Sequence, residues 1–175
     1  LKNPYELTTG DQFGYDVAVD GNYVVIGSPF DESDSNIDDF HNSGNAFVYN
    51  AETGLKVHDL INPQSANTDV EFGCSVDISG NLAIIGAPGY ETSYIYDITD
   101  GSLQYTLQNP TAVSGDRFGE KVTIQGNVAV VSAPYYDETN INEGRVYIYD
   151  LSSTAPGTVT NANITLSNPT PDQNS

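Results

Sequence analysis

The chain has 175 residues, 38% of them hydrophobic, which is enough for one domain with a core and excludes disorder as the starting expectation. Against 24 acidic residues stand 5 basic ones, and the formal net charge of −19 repels phosphate backbones and anionic membranes. Nucleic-acid binding is therefore set aside, and the excess carboxylates serve either solvation or divalent cations.

Along the chain the apolar runs are short and rich in Val, Ile and Tyr, which favours strands over helices. The first mark is Leu1-Lys-Asn-Pro4, followed by Phe13-Gly14 and a run, VAVDGNYVVIG, that predicts a hairpin turning at Gly21-Asn22. Gly27-Ser28-Pro29 ends the second strand, because proline cannot donate to a ladder. After an acidic loop comes an aromatic strand, AFVYN, then a turn at Glu52-Thr53-Gly54 and a last strand that finishes at the next Leu-x-Asn-Pro, Leu60–Pro63.

The same landmarks return twice in the same order. Phe72-Gly73 and Phe118-Gly119 precede the hairpins VDISGNLAIIG and VTIQGNVAVVS, which end on Gly86-Ala87-Pro88 and Ser132-Ala133-Pro134. The aromatic strands SYIYD and VYIYD follow, and further Leu-x-Asn-Pro marks stand at Leu107 and Leu166. This defines repeat units at 1–59, 60–106 and 107–165, with 166–175 as the start of a next repeat or a tail. No segment sustains an i, i+3, i+4 apolar pattern over about ten residues, so no helix is expected. The expected fold is all-β: four short antiparallel strands per unit, repeated as β-propeller blades.

Phe-Gly followed by Gly-Ala-Pro, three times in register, resembles the FG-GAP repeat of integrin-α-like β-propellers and of many extracellular proteins; the literal Gly-Ala-Pro occurs in unit two only. Three blades do not close a ring, since propellers use about 4 to 8. The chain, which begins at Leu1, reads as a processed or partial piece of a longer propeller, or as one that closes by association with neighbouring blades or subunits. An open wedge would leave apolar blade faces and strand edges uncovered.

Phe13, Phe72 and Phe118 are expected to fill space between blades, and the glycine after each to allow close backbone approach. Asp11 and Asp116 are expected to accept backbone hydrogen bonds at the turn, a role that Val70 cannot take in unit two. Phe47/Tyr49, Tyr94/Tyr96 and Tyr147/Tyr149 alternate with Val48, Ile95 and Ile148, so both faces of each aromatic strand are apolar, as in a strand held between blades.

The units diverge in the loop after the Pro step, and divergence on a fixed scaffold is where binding resides. Unit one carries Asp31, Glu32, Asp34, Asn36 and Asp38, hard oxygen ligands of the kind calcium takes in sixes to eights. Unit three offers Asp137, Asn140 and Asn142 as a sparser set. The resemblance implies calcium loops of the form Asp-x-Asp-x-Asp-Gly, and this chain lacks the glycine after the third ligand. A solvated acidic turn and a direct protein or glycan contact stand beside calcium as readings of the first loop.

Enzymatic readings find little support. His41 and His58 are the only histidines, neither beside a nucleophile motif, and Cys74 is the only cysteine, which leaves no intrachain disulfide, zinc cluster or redox pair. Close carboxylate pairs arise by chance among 24 acids. Asn163-Ile164-Thr165 is one glycosylation sequon, and no apolar run is long enough for a membrane-spanning helix. The expected function is a non-catalytic binding or adhesion module outside the cell, on a cell or virion surface, with a protein or glycan ligand. The alternatives are a purely structural unit of a surface appendage or virion, and a propeller attached to a larger secreted enzyme.

Overall fold

The computed structural model describes residues 10–31, 43–64, 69–111, 113–138 and 141–169. Among them the chain is all-β, with one 3-10 turn at Pro88–Tyr90 and no α-helix. Blade one is the antiparallel sheet β1 (Val17–Asp20), β2 (Tyr23–Ser28), β3 (Asn45–Asn50) and β4 (Lys56–Leu60), paired in chain order. Blade two repeats that order with β5 (Val76–Ser79), β6 (Leu82–Ala87), β7 (Thr92–Asp97) and β8 (Ser102–Gln108). Blade three begins in the same way with β9 (Val122–Gln125), β10 (Val128–Ala133) and β11 (Arg145–Asp150).

The two-residue hairpins form as the sequence predicts. Asp20 pairs with Tyr23 and Ser79 with Leu82, and of the turn residues between them only Gly21 and Gly80 have positive φ, at 53° and 59°. Positive φ at the first position alone is what a type II′ turn requires. The asparagine that follows then fixes the third strand of its own blade: the carbonyls of Asn22, Asn81 and Asn127 accept the N–H groups of Ala51, Ile98 and Leu151, each at 2.8 Å.

Blade three departs from the plan. Its outer strand is β13 (Ile164–Ser167), and the longer connection before it contributes β12 (Gly157–Val159), which pairs in parallel with β8 of blade two and makes that sheet five-stranded. The Tyr105 hydroxyl donates to the Thr154 carbonyl at 3.0 Å and fastens this strap. Thirteen residues separate β11 from β13, where four or five join the corresponding strands of the other blades, and the extra length is what reaches the open edge of β8.

Apolar burial runs between the blades. One cluster joins Val25 and Val48 of blade one to Phe72, Val76 and Ile78 of blade two, and another joins Ile84 and Ile95 to Phe118, Val122 and Ile124 of blade three. The phenylalanines also pack within their own blade. Phe72 stands 5.7 and 6.2 Å from the rings of Tyr94 and Tyr96, Phe118 stands 5.5 and 6.4 Å from Tyr147 and Tyr149, and Phe13 repeats the arrangement on Phe47 and Tyr49. Phe72 and Phe118 therefore tie their own aromatic strands to the preceding blade, where the sequence suggests an inter-blade role alone, while Phe13 packs within blade one.

The two glycines of the repeat meet across each junction. A Cβ on Gly27 would lie 1.9 Å from the Gly73 carbonyl oxygen, and one on Gly86 would lie 2.1 Å from that of Gly119. Cys74 is buried in the second junction, its thiol against the Gly119 carbonyl at 3.6 Å, and burial pushes its pKa far up, so it is an inert packing residue.

Candidate functional site

The loop after the Pro step leaves the second strand of each blade and returns at the start of the third, which gathers the variable segments at one end of a rigid frame. Of the candidate ligands, Glu32, Asp34, Asn36, Asp38 and Asn140 lie outside the described residues. Asp31 sits fully buried at the base of the first loop. Its N–H donates to the Ser28 carbonyl and its own carbonyl accepts the Gly44 N–H, both at 3.2 Å, so it clamps the two ends of that loop together.

The third loop is organised from within. The Asn142 N–H donates to Asp137 Oδ1 at 2.5 Å, and the Gly144 N–H to the Tyr136 carbonyl at 3.1 Å. Arg145, the first residue of β11, donates from Nη2 to Glu138 Oε2 at 2.6 Å and lays its guanidinium 3.7 Å from the centroid of the Tyr136 ring. This loop thus carries its own cation, where the equivalent position of blade one is Asn45 and of blade two Thr92. Among the described residues no three His, Cys, Asp or Glu side chains converge as a metal site.

Blade two holds an arrangement that sequence reading missed. Glu91, next to β7 in a left-handed conformation, accepts the Gly115 and Arg117 N–H groups on Oε1 at 3.0 and 2.8 Å and the Phe118 N–H on Oε2 at 2.8 Å. One carboxylate thereby fills the nest of amides that precedes the Phe-Gly of blade three. Asn109 Nδ2 donates to Glu91 Oε2, the Val113 carbonyl and Asp116 Oδ2, while Asn109 Oδ1 accepts from Thr111. The Asp116 carboxylate also accepts the Thr111 hydroxyl at 2.9 Å. Its partners are side chains, not the backbone groups expected of it, because Glu91 takes the amides of that turn. An open cleft of about 400 Å3 lies over this network, lined in part by Tyr90, Glu91, Asn109, Val113 and Ser114.

The recurring Leu-x-Asn-Pro marks explain the network. Leu60 and Leu107 are fully buried, the carbonyls of the next residues, Ile61 and Gln108, accept the hydroxyls of Tyr96 at 2.6 Å and Tyr149 at 3.4 Å, and Asn62 and Asn109 are the buried hubs. Asn62 Nδ2 donates to the Ser43 carbonyl at 2.7 Å and so holds the far end of the first loop. The Asn-Pro recurrence was the signal available in the sequence. Beside the second hub, Arg117 bridges Glu71 and Glu120, both at 2.5 Å, and bonding to Glu71 raises its already high pKa. Asp100 and Asp150 stand at exposed turns away from this end, their pKa values lowered by hydrogen bonds from Ser102 and Ser152.

Repeated antiparallel sheets packed face to face through short inner strands define a β-propeller-type protein. The chain belongs to the FG-GAP repeat family: the family's repeat model matches residues 4–49, 60–105 and 102–149. No curated protein sequence matches it. Solved structures similar to it include the computationally designed Ika8 protein, at 17% identity and a TM-score of 0.50 over 86% of this chain, and hydrazine synthase of Kuenenia stuttgartiensis, at 11% identity and a TM-score of 0.52 over 86%. The match spans 41% of the designed chain and 36% of the hydrazine synthase chain, and at these identities the likeness concerns the fold alone.

Proposed function

We propose that this chain is a non-catalytic binding module that acts outside the cell or on a cell or virion surface, through the loops at the Pro-step end of its blades. The observation that carries the reading is the division of the molecule. The frame is built from residues repeated in every unit, whereas the loops held by Asp31, Glu91 and Asn109 differ in length and chemistry from blade to blade. A rigid frame that presents unlike loops at one end suits recognition of a protein or glycan surface. FG-GAP membership supports the same class of role.

In this reading calcium rigidifies the first loop through Glu32, Asp34, Asn36 and Asp38. The third loop competes poorly, because Glu138 is already satisfied by Arg145 and Asp137 by the Asn142 amide. Thermal melts in calcium and in chelator test this: calcium should raise the melting temperature of the natural chain and leave that of an Asp34→Ala, Asp38→Ala variant unchanged. Identical melts of the natural chain under both conditions would end the calcium reading. A glycan and cell-surface binding screen tests the wider one, and a blank result across surfaces favours a purely structural unit.

A further inference from the structure

The cleft over the Glu91 network is open because blade two has the shortest loop at that end. Residues 88–91 join β6 to β7, whereas residues 29–44 and 134–144 join the matching strands of blades one and three. Two segments line it: the turn that carries Tyr90, and the connection from β8 toward blade three that carries Gln108, Val113 and Ser114. Both are tied to the frame. The Gly89 N–H donates to the Val70 carbonyl at 3.2 Å, a Cβ on Gly89 would stand 1.7 Å from the Asp69 carbonyl oxygen, and the Thr92 hydroxyl donates to the Tyr90 carbonyl at 2.9 Å. Asn109 Nδ2 holds the Val113 carbonyl at 3.3 Å in the other segment. At about 400 Å3 the cleft falls within the size range of small-molecule sites, and its shape is set before a ligand arrives.

The chemistry of the lining narrows the ligand. Glu91 Oε1 accepts two amides, and Oε2 accepts a third together with Asn109 Nδ2, so the carboxylate is fully committed and recruits neither a metal ion nor an amine. Among the described residues that line the cleft none is lysine or arginine, and the net charge of −19 repels anions. An apolar side chain of a protein partner would cover the Glu91 carboxylate with hydrocarbon, which is costly. What remains on offer is the exposed ring of Tyr90, the exposed side chain of Val113, and the amide of Gln108 and hydroxyl of Ser114, which bond to nothing else among the described residues. A pyranose matches this set. Its C–H groups carry partial positive charge and stack on the electron-rich face of an aromatic ring, while its hydroxyls donate and accept around the rim.

We propose that the cleft binds an uncharged pyranose unit of a glycan, with Tyr90 as the stacking platform and Gln108 and Ser114 as partners of its hydroxyls. This ligand class rests on the non-catalytic binding role already proposed for the loop end, and gives that role a place. A hexose or an N-acetylhexosamine fits, whereas a uronic, sialic or sulfated sugar is repelled.

Amide chemical shifts of the isotope-labelled chain test this, in titrations with the methyl pyranosides of glucose, galactose, mannose and N-acetylglucosamine carried far above the ~1 mM dissociation constant of a weak site. At least one of the four should move the amides of Tyr90, Glu91, Val113 and Ser114 saturably. Tyr90→Ala should weaken that binding about tenfold or more, while Tyr90→Phe, which keeps the ring, should change it less than about threefold. The Gln108→Ala, Ser114→Ala double variant should also weaken it about tenfold. All three side chains are exposed, and an otherwise unchanged amide spectrum confirms that each variant is folded. Glucuronate and N-acetylneuraminate should leave the cleft amides unmoved. The proposal is overturned by no saturable shift there with any of the four neutral sugars, by affinity that Tyr90→Ala leaves unchanged, or by the two acids binding there as tightly. Shifts that gather instead at Tyr136–Glu138 and Asn142–Arg145 overturn it too, but leave the wider binding role standing on a different loop.

Discussion

Gly86→Ala isolates the close approach that joins the blades. Gly86 lies in β6 without positive φ, so alanine costs nothing in backbone strain, and the whole effect comes from the new methyl group. That methyl would sit 2.1 Å from the Gly119 carbonyl oxygen, about 1.2 Å short of the ~3.3 Å at which carbon and carbonyl oxygen meet. The obstacle is backbone, so no side chain can swing aside. Blades two and three must part by about an ångström, and the hydrogen bonds of Asp77 and Ser79 to the Ile124 and Gly126 amides lengthen with them. Overpacking of this kind costs about 3 kcal/mol, the upper end of its usual range. For a chain of this size that is a fall of roughly 6–12 °C in melting temperature. Ser132→Ala, at the same strand position in blade three, meets no packed blade and should cost only about 1 kcal/mol, the loss of the hydroxyl that accepts the Lys121 N–H. Urea unfolding of both variants decides the matter. A Gly86→Ala loss within about 1 kcal/mol of the Ser132→Ala loss would refute the account of the glycine pair.

Other perturbations read out other parts of the frame. Glu91→Ala strips three amides of a charged acceptor and should cost about 3 kcal/mol, with amide exchange at Gly115, Arg117 and Phe118 accelerating more than elsewhere. Deleting residues 155–162 should leave three blades folded while removing exchange protection from the β8 amides that β12 pairs, between Tyr105 and Leu107; unchanged protection there would refute the strap. Alkaline pH should destabilise the fold. Burial pushes the Tyr94 hydroxyl up to about 12 and those of Tyr96 and Tyr149 further, so their contribution is intact below the ordinary tyrosine pKa of ~10 and is lost as pH rises above it. Urea midpoints that hold level from about pH 9 to about pH 11 would contradict this. Cys74, raised in the same sense, should resist thiol reagents until the chain unfolds.

The frame was legible in the sequence because each of its signals is local and triplicated. Gly-Asn turns, the Pro step and the period-two aromatic strands each dictate their own conformation, and three copies in register fix the blade plan. Two features were not legible. The strap β12 depends on whether a thirteen-residue connection finds an unpaired edge in another blade, which no local pattern encodes. The Glu91 network depends on which acid among 24 meets the amide nest before Phe118, and a carboxylate in a five-residue loop looks like any other until the nest is seen beside it. The first acidic loop is the reverse case: its composition speaks plainly, and of its acids Asp31 at its base lies within the described residues.

The acidity of the chain has a structural share as well as a solvating one. A sheet edge placed against another blade must satisfy its outward amides, and β5 and β9 are edge strands with no strand paired on that side. Side-chain acceptors on the preceding blade solve the problem, and acids serve at Asp16, Asp20 and Asp77, with serine at Ser75 and Ser79. Glu91 does the same for the turn before Phe118. A carboxylate can take several such bonds at once, as Asp77 does in accepting the amides of Ile78 and Ile124 and the Thr123 hydroxyl, and bonds to a charged acceptor are stronger than those to a neutral one. It follows that acids at these positions should tolerate replacement by Asn, which keeps an acceptor, far better than by Lys, which keeps none, whereas an exposed acid whose carboxylate caps no turn amide, such as Glu52, should tolerate both. Stability measured for Asp77→Asn and Asp77→Lys against the same pair of changes at Glu52 separates the two populations, and equal losses at both sites would mean that the charge serves solvation alone.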